Sequence, residues 1–153
     1  MKINTRSFFP FLFICLFSVP ALLKAQDAKT QDATHCVVKK SPYRLSMDSG
    51  KVVYARQCLT CHQADGLGVG NMNPPLTGKD ILGDKNKLIG IVIKGLSLRE
   101  PIDGITYENV MPAHPDMKDK EIADVLTYIR NSFGNKASSV KVSEVKSVRS
   151  KLK

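Results

Sequence analysis

The sequence predicts a helical protein, and three observations carry that expectation. Ile122, Val125, Leu126, Ile129 and Phe133 are spaced by three, one, three and four, which lines them along one face of a helix over Asp119–Phe133, with Gly134 to end it. Two further segments carry helix start or stop signals. Asp48 or Ser49 precedes Val52, Val53 and Tyr54, and Asp84 and Gly95 flank Lys85–Lys94. No strand–helix–strand alternation is visible along the chain.

Composition bounds the rest. A length of 153 residues suits one domain plus short extras. With 42% hydrophobic and 24% charged residues the balance is ordinary for a globular protein, against wholesale disorder or a polytopic membrane protein. Four cysteines are too few for a disulfide-stapled miniprotein.

Taken in order, the chain opens on a basic stretch with Lys2 and Arg6, then a nearly unbroken apolar run from Phe8 to Leu23, then Lys24-Ala25-Gln26. The run is shorter than a usual bilayer span, and Ala25 is a small residue placed before a cut, so residues 1–25 read as a secretory signal peptide and the chain as exported. A retained N-terminal anchor and a lipoprotein anchor at Cys15 are the alternatives. Cleavage removes Lys2, Arg6 and Lys24 and no acid, three of the nine net positive charges. Residues 26–45 are polar without a clear period and read as a flexible lead-in. Residues 46–133 hold the periodic segments.

The first helix is expected over Asp48–Cys58 and the second over Lys85–Lys94. The core of the second, LIGIVI, is rich in β-branched residues, so a strand is its rival, and length and flanking signals favour the helix. Gly66–Gly78 and Glu100–Pro115, dense in glycine and proline, read as irregular loops of functional length. Residues 134–153 form a basic tail, with Lys136, Lys141, Lys146, Arg149, Lys151 and Lys153 against Glu144. Val142, Val145, Val148 and Leu152 within it predict a short helix over Ser143–Lys151, capped by Ser143, lying on the domain with a basic outer face. That face is either simply solvated or a docking surface for an acidic partner or a membrane.

The chemistry concentrates in Cys58-Leu59-Thr60-Cys61-His62. C-x-x-C-H is the attachment signature of c-type haem. Two thiols that close on one turn can reach the two vinyl groups on one porphyrin edge, and the next side chain, His62, can then bind iron from one face. A thioredoxin-like pair would sit in a βαβ setting, a structural zinc site needs four ligands, and a Cys58–Cys61 disulfide explains neither His62 nor the loops. For the second axial position the candidates are Met47, Met72, Met111, Met117, His35 and His114. Core packing accounts for Met47 and Met117, and Met72 follows His62 too closely to cross the ring easily. Met111, in the proline-rich loop before the last long helix, is favoured over His114, which would give a bis-His iron of lower potential.

Over Met47–Phe133 the chain resembles a monohaem class I cytochrome c of the bacterial periplasmic type. Besides Cys58, Cys61 and His62, the resemblance rests on Asn73-Pro74-Pro75-Leu76-Thr77-Gly78, on Gly104-x-x-Tyr107-x-x-x-Met111-Pro112, and on Gly50-x-x-x-Tyr54. It implies an all-α fold of about four helices around one covalently bound haem c, with the Gly50 and Tyr54 face packed on the last helix. It further implies that the Pro74 carbonyl accepts the N–H of the His62 ring, that Leu76 and Val110 wall the haem, and that Tyr107 packs near it or reaches a propionate. Cys36 is then an odd thiol, either free or paired between molecules.

The function that follows is single-electron transfer with both axial sites filled, as a carrier or an electron-transfer subunit. The expected partners are redox proteins such as a periplasmic dehydrogenase and a terminal oxidase, met at a haem edge ringed by lysines such as Lys79. No nucleic-acid partner is expected. The protein is expected as a monomer or a subunit of a larger complex, at the membrane only if the signal stays uncleaved. An enzyme or gas sensor would need an open iron, and no distal acid–base pair is apparent. A cofactor-free interaction module would require the haem reading to fail.

Overall fold

The computed structural model describes residues 39–78, 83–96, 101–102 and 104–152. The leader 1–25, the lead-in up to Val38 with His35 and Cys36, Lys79 and Lys153 lie outside the described residues. Among the described residues five helices follow one another: α1 Pro42–Gln57, α2 Leu59–His62, α3 Lys85–Lys94, α4 Asp119–Ile129 and α5 Val142–Lys151. Among the described residues there is no strand, and extended pairing is confined to the isolated bridges Val69–Asn73, Leu96–Met111 and Ile102–Ile105. The fold is all-α, and among the described residues the helix beyond the expected four is α2, the single turn that carries Cys61 and His62. Among the described residues no helix is long and apolar enough to cross a membrane.

α1 begins at Pro42, ahead of the expected Asp48, so residues 42–45 belong to the helix and not to a flexible lead-in. The signal is Ser41-Pro42. The Ser41 hydroxyl accepts from Arg44 N at 3.3 Å, and the fixed φ of proline suits the first helical position. Asp48 is an exposed residue inside the helix, 2.6 Å from Lys40 Nζ, and that bond holds its carboxyl below the usual range. α3 occupies its predicted span, started by Asp84 Oδ1 accepting from Asn86 N at 2.8 Å and stopped by Gly95 at φ +75°. Leu88, Ile89, Val92 and Ile93 are buried, so the LIGIVI run is a helix whose apolar side fills the core.

α4 ends at Ile129, short of Phe133. The chain tightens after it, with Asn131 N bonding to Tyr128 O and Ser132 N to Ile129 O, and Phe133 turns left-handed at φ +56°. Side-chain amides take the last carbonyls: Asn131 Nδ2 donates to Thr127 O and Asn135 Nδ2 to Ile129 O, each at 2.9 Å. Phe133 thereby swings its ring onto Tyr54 and Tyr128, with centroids 5.3 and 5.8 Å away. α5 starts at Val142 rather than Ser143. The Glu144 carboxylate accepts from Lys141 N at 2.6 Å, so the helix start is closed by an acid in its first turn and not by the Ser143 hydroxyl.

α1 crosses α4 at Gly50, where a Cβ would come within 2.1 Å of the Asp124 carbonyl oxygen, closer than any side chain permits. The core lies between these two helices and α3 and α5, and its best-buried members are Ile89, Ile122, Val125 and Val145. Val145 and Val148 seat α5 in that core, as the tail periodicity predicts, whereas Val142 stays exposed. Lys146 and Lys151 point to solvent, but Arg149 is turned inward and is withdrawn from the basic face.

Candidate haem site

The end of α1 delivers the attachment turn. Cys58 N bonds to Tyr54 O, and Cys61 N and His62 N both bond back to Cys58 O, at 3.2 and 2.9 Å. The two thiols therefore stand on one turn, both free, Cys58 half-buried and Cys61 exposed. α2 stops at Gln63, a non-glycine residue held at φ +61°. The Tyr54 hydroxyl donates to Gln63 O at 2.6 Å and fixes that strained corner. Tyr54 also packs on Tyr128 of α4, with ring centroids 5.5 Å apart.

His62 is buried, and its Nδ1 lies 3.0 Å from Pro74 O. A carbonyl can only accept, so the proton sits on Nδ1 and Nε2 keeps its lone pair. Burial lowers the imidazole pKa, and the bond to Pro74 opposes that effect in part. The result is a neutral ring with one free nitrogen, the form that binds a metal. The Gly66–Gly78 loop is tied back to the turn by Gly68 N to His62 O and Leu76 N to Gly66 O. Asn135 Nδ2 donates to Leu76 O at 2.7 Å, so the segment after α4 also supports this loop.

The second loop meets the first. Glu108 N bonds to Asn71 O, Asn109 N to Met72 O, and Asn109 Nδ2 to Asn73 Oδ1. Met111 is held by a two-way backbone pairing with Leu96 and is half-buried against the core. Gly95, at φ +75°, lets this pairing close, because a Cβ there would lie 2.6 Å from Met111 O. His114 sits elsewhere. Its N–H bonds to Val92 O, and the residue lines a charged groove with Arg56, Asp116 and Glu121. Met117 is buried in the core, as packing predicts, whereas Met47 is only half-buried and Met72 is exposed. Leu76 and Tyr107 are half-buried and Val110 is 59% exposed.

The residues fit a covalent haem. Leu67, Val69, Met72, Ile105 and Val110 are all exposed apolar side chains of the two bonded loops, a concentration that suits contact with a flat apolar group. Two thiols and a neutral imidazole supply the donors. The thioredoxin-like reading of the pentapeptide is disfavoured. Burial pushes the Cys58 thiol up to about 11, opposite to the lowered pKa of an attacking redox cysteine. Among the described residues no group of three His, Cys, Asp or Glu side chains gathers as a metal cage. Four contacts of the site were not legible as such: the Tyr54 hydroxyl on Gln63, the Asn73–Asn109 bridge, Asn135 on Leu76, and Gly95 behind Met111. The sequence marks Gly95 only as a helix stop.

A helical chain with this donor set defines a c-type haem protein. Residues 47–133 match the cytochrome c family. Cytochrome c-552 of Thermus thermophilus is 36% identical over 118 residues, covering 70% of this chain and 78% of that protein. The cytochrome c subunit of the quinone alcohol dehydrogenase of Gluconacetobacter polyoxogenes is 31% identical over 125 residues, which span 80% of this chain but 26% of the subunit. The crystal structure of the c-type cytochrome XoxG from Methylobacterium extorquens AM1 aligns with a TM-score of 0.43 at 23% identity, over 69% of this chain and 66% of that one. The chain belongs to the cytochrome c family. Its cofactor is haem c, and its work is that of an electron-transfer component rather than of a catalyst.

Proposed function

We propose that the protein carries single electrons between periplasmic or membrane redox partners through one haem c, with His62 and Met111 as the axial ligands. The observation that carries the reading is the 3.0 Å contact between His62 Nδ1 and Pro74 O, which leaves Nε2 free to bind a metal. When bound, the haem supplies an iron that accepts and gives up one electron. The protein's own groups do the remainder. Cys58 and Cys61 would hold the porphyrin through thioethers, and the Pro74 carbonyl orients the His62 ring and strengthens it as a donor. Met111 would be the second iron ligand, on a loop pinned to Leu96 and in an apolar setting that suits a thioether ligand and a raised potential. Leu76, Val110 and Tyr107 would pack on the group and shield it from water.

Cys61 is exposed, so the attached edge lies near the surface where a partner can approach. Several relatives are named as dehydrogenase cytochrome subunits, and these support a dehydrogenase as electron donor; the acceptor we propose is a terminal oxidase. Export to the periplasm rests on the signal-like leader. The test is an absorption spectrum of protein matured with haem, recorded oxidised, reduced and under carbon monoxide. A low-spin spectrum with a Met–ferric-iron charge-transfer band, unmoved by carbon monoxide, is the expected result. A high-spin or carbon-monoxide-sensitive spectrum would overturn the carrier reading in favour of catalysis or sensing.

A further inference from the structure

The helix α5 lies beyond the residues matched by the cytochrome c family, yet one of its side chains reaches the loop that carries Met111. Arg149 makes three bonds with one guanidinium. Its Nε donates to Asp119 Oδ1 at 2.8 Å, one terminal nitrogen to Pro115 O at 2.8 Å, and the other to Met117 O at 2.7 Å. Pro115 and Met117 belong to the short segment between Met111 and α4, and Asp119 opens α4. The segment is held upstream by the Leu96–Met111 pairing and by His114 N on Val92 O. Downstream it turns through Met117 N on His114 O, and Arg149 grips that turn from outside. The grip has a firm base, because Val145 and Val148 bury α5 in the core.

We propose that Arg149 is a positioning residue for Met111. It holds the 115–117 turn so that the methionine loop cannot swing away from the iron. The inference rests on the reading of Met111 as an axial ligand. Arginine suits the task, since its planar fork can satisfy two carbonyls and a carboxylate at once, which a lysine cannot. Without it the two carbonyls lose a charged donor and the loop opens more often, so an outside ligand competes better for the iron.

The experiment titrates the ferric haem-loaded protein with imidazole and follows loss of the Met–iron charge-transfer band. Arg149→Ala should raise imidazole affinity about tenfold, the low end for losing hydrogen bonds to a charged group. Arg149→Lys, which can keep the Asp119 pair but not both carbonyls, should give a smaller rise in the same direction and decides the matter if the alanine variant does not fold. Glu144→Gln removes the ion pair to Lys85 at the other end of α5 while Val145 and Val148 still seat the helix, and it should leave imidazole affinity unchanged. An unaltered affinity in both Arg149 variants, or an equal rise in Glu144→Gln, overturns the proposal. A wild-type protein lacking the charge-transfer band refutes the Met111 reading itself, and this inference with it.

Discussion

Nδ1 of His62 and the carbonyl oxygen of Pro74 stand 3.0 Å apart, and this one contact fixes the chemical state of the site. It selects the tautomer, since the carbonyl cannot donate. It also makes the ring a stronger donor through Nε2, because a hydrogen bond at one nitrogen raises electron density at the other. Burial of His62 disfavours the charged imidazolium and keeps the ring neutral, and the Pro74 bond opposes that effect only in part. The carbonyl is itself held rigidly, being followed by Pro75 and tied into a loop whose Leu76 N bonds to Gly66 O.

The position of that carbonyl depends on Gly68. At φ +69° this residue adopts a left-handed backbone, and a Cβ on it would lie 2.3 Å from Asn73 O and 2.7 Å from Pro74 O. Gly68→Ala should therefore push the carbonyls away and weaken the bond to His62. Stability should fall by about 1–3 kcal/mol. The reduction potential should rise, because a less electron-rich imidazole favours ferric iron less, by up to about 60 mV, the equivalent of a factor of ten for a one-electron couple. Potentiometric titration beside thermal unfolding checks both. A lower melting temperature with an unmoved potential would show that the Pro74 bond does not tune the iron.

Met111 and His114 make opposite predictions because their surroundings differ. Met111 packs against the apolar core, whereas His114 lines a groove with Arg56, Asp116 and Glu121. Met111→Ala should abolish the Met–iron charge-transfer band and admit carbon monoxide to the reduced protein, with the helical fold retained. His114→Ala should leave both properties as in the wild type. Absorption spectra of the two variants, reduced and oxidised, decide between them, and a spectrum sensitive to His114→Ala but not to Met111→Ala would reverse the assignment.

How far the sequence reaches is visible at particular residues. The α3 span was legible because its cap, its period and its stop all lie within a dozen residues, and the all-α class follows from such local signals. The start of α1 was missed because Tyr43 and Leu45 in its first turn stay exposed and the buried face begins only at Gly50, so hydrophobic periodicity does not reach Ser41-Pro42. The end of α4 was overrun because Phe133 continues the apolar spacing, although a left-handed turn brings it to Tyr54 by another route. At the site, Cys58, Cys61 and His62 are adjacent in sequence and so were readable. The bonds from Asn135 to Leu76 and from Arg149 to Pro115 span distant segments, and only the folded chain brings them together.

The packing of α1 on α4 leads to a prediction independent of the haem. A Cβ at Gly50 would sit 2.1 Å from Asp124 O and 2.7 Å from the Tyr128 Cβ, so both helices would have to move apart. Gly50→Ala should destabilise the protein by about 1–3 kcal/mol through overpacking, despite the better helix propensity of alanine. Chemical denaturation followed by circular dichroism measures it. A variant as stable as the wild type would mean that the crossing has more slack than the contact implies.

The attachment of α5 should depend on pH through Glu144. Partial burial alone would raise its carboxyl, but the bonds from Lys85 Nζ at 2.7 Å and from Lys141 N at 2.6 Å outweigh that and hold it below its ordinary 4.5. A carboxylate depressed in the folded state stabilises fully at pH above its unfolded value, and the contribution is lost as pH falls through the folded one. The side chain is 31% exposed, so the charge contributes only roughly 0.5–1 kcal/mol at neutral pH. Glu144→Gln keeps a side-chain oxygen for Lys141 N and removes the charge. It should be less stable than the wild type at pH 7 by about that amount, and the difference should close as pH falls below 4.5. Denaturant unfolding of both proteins across that range tests it, and a gap that stays constant with pH would assign the stabilisation to packing instead of to the ionised carboxylate.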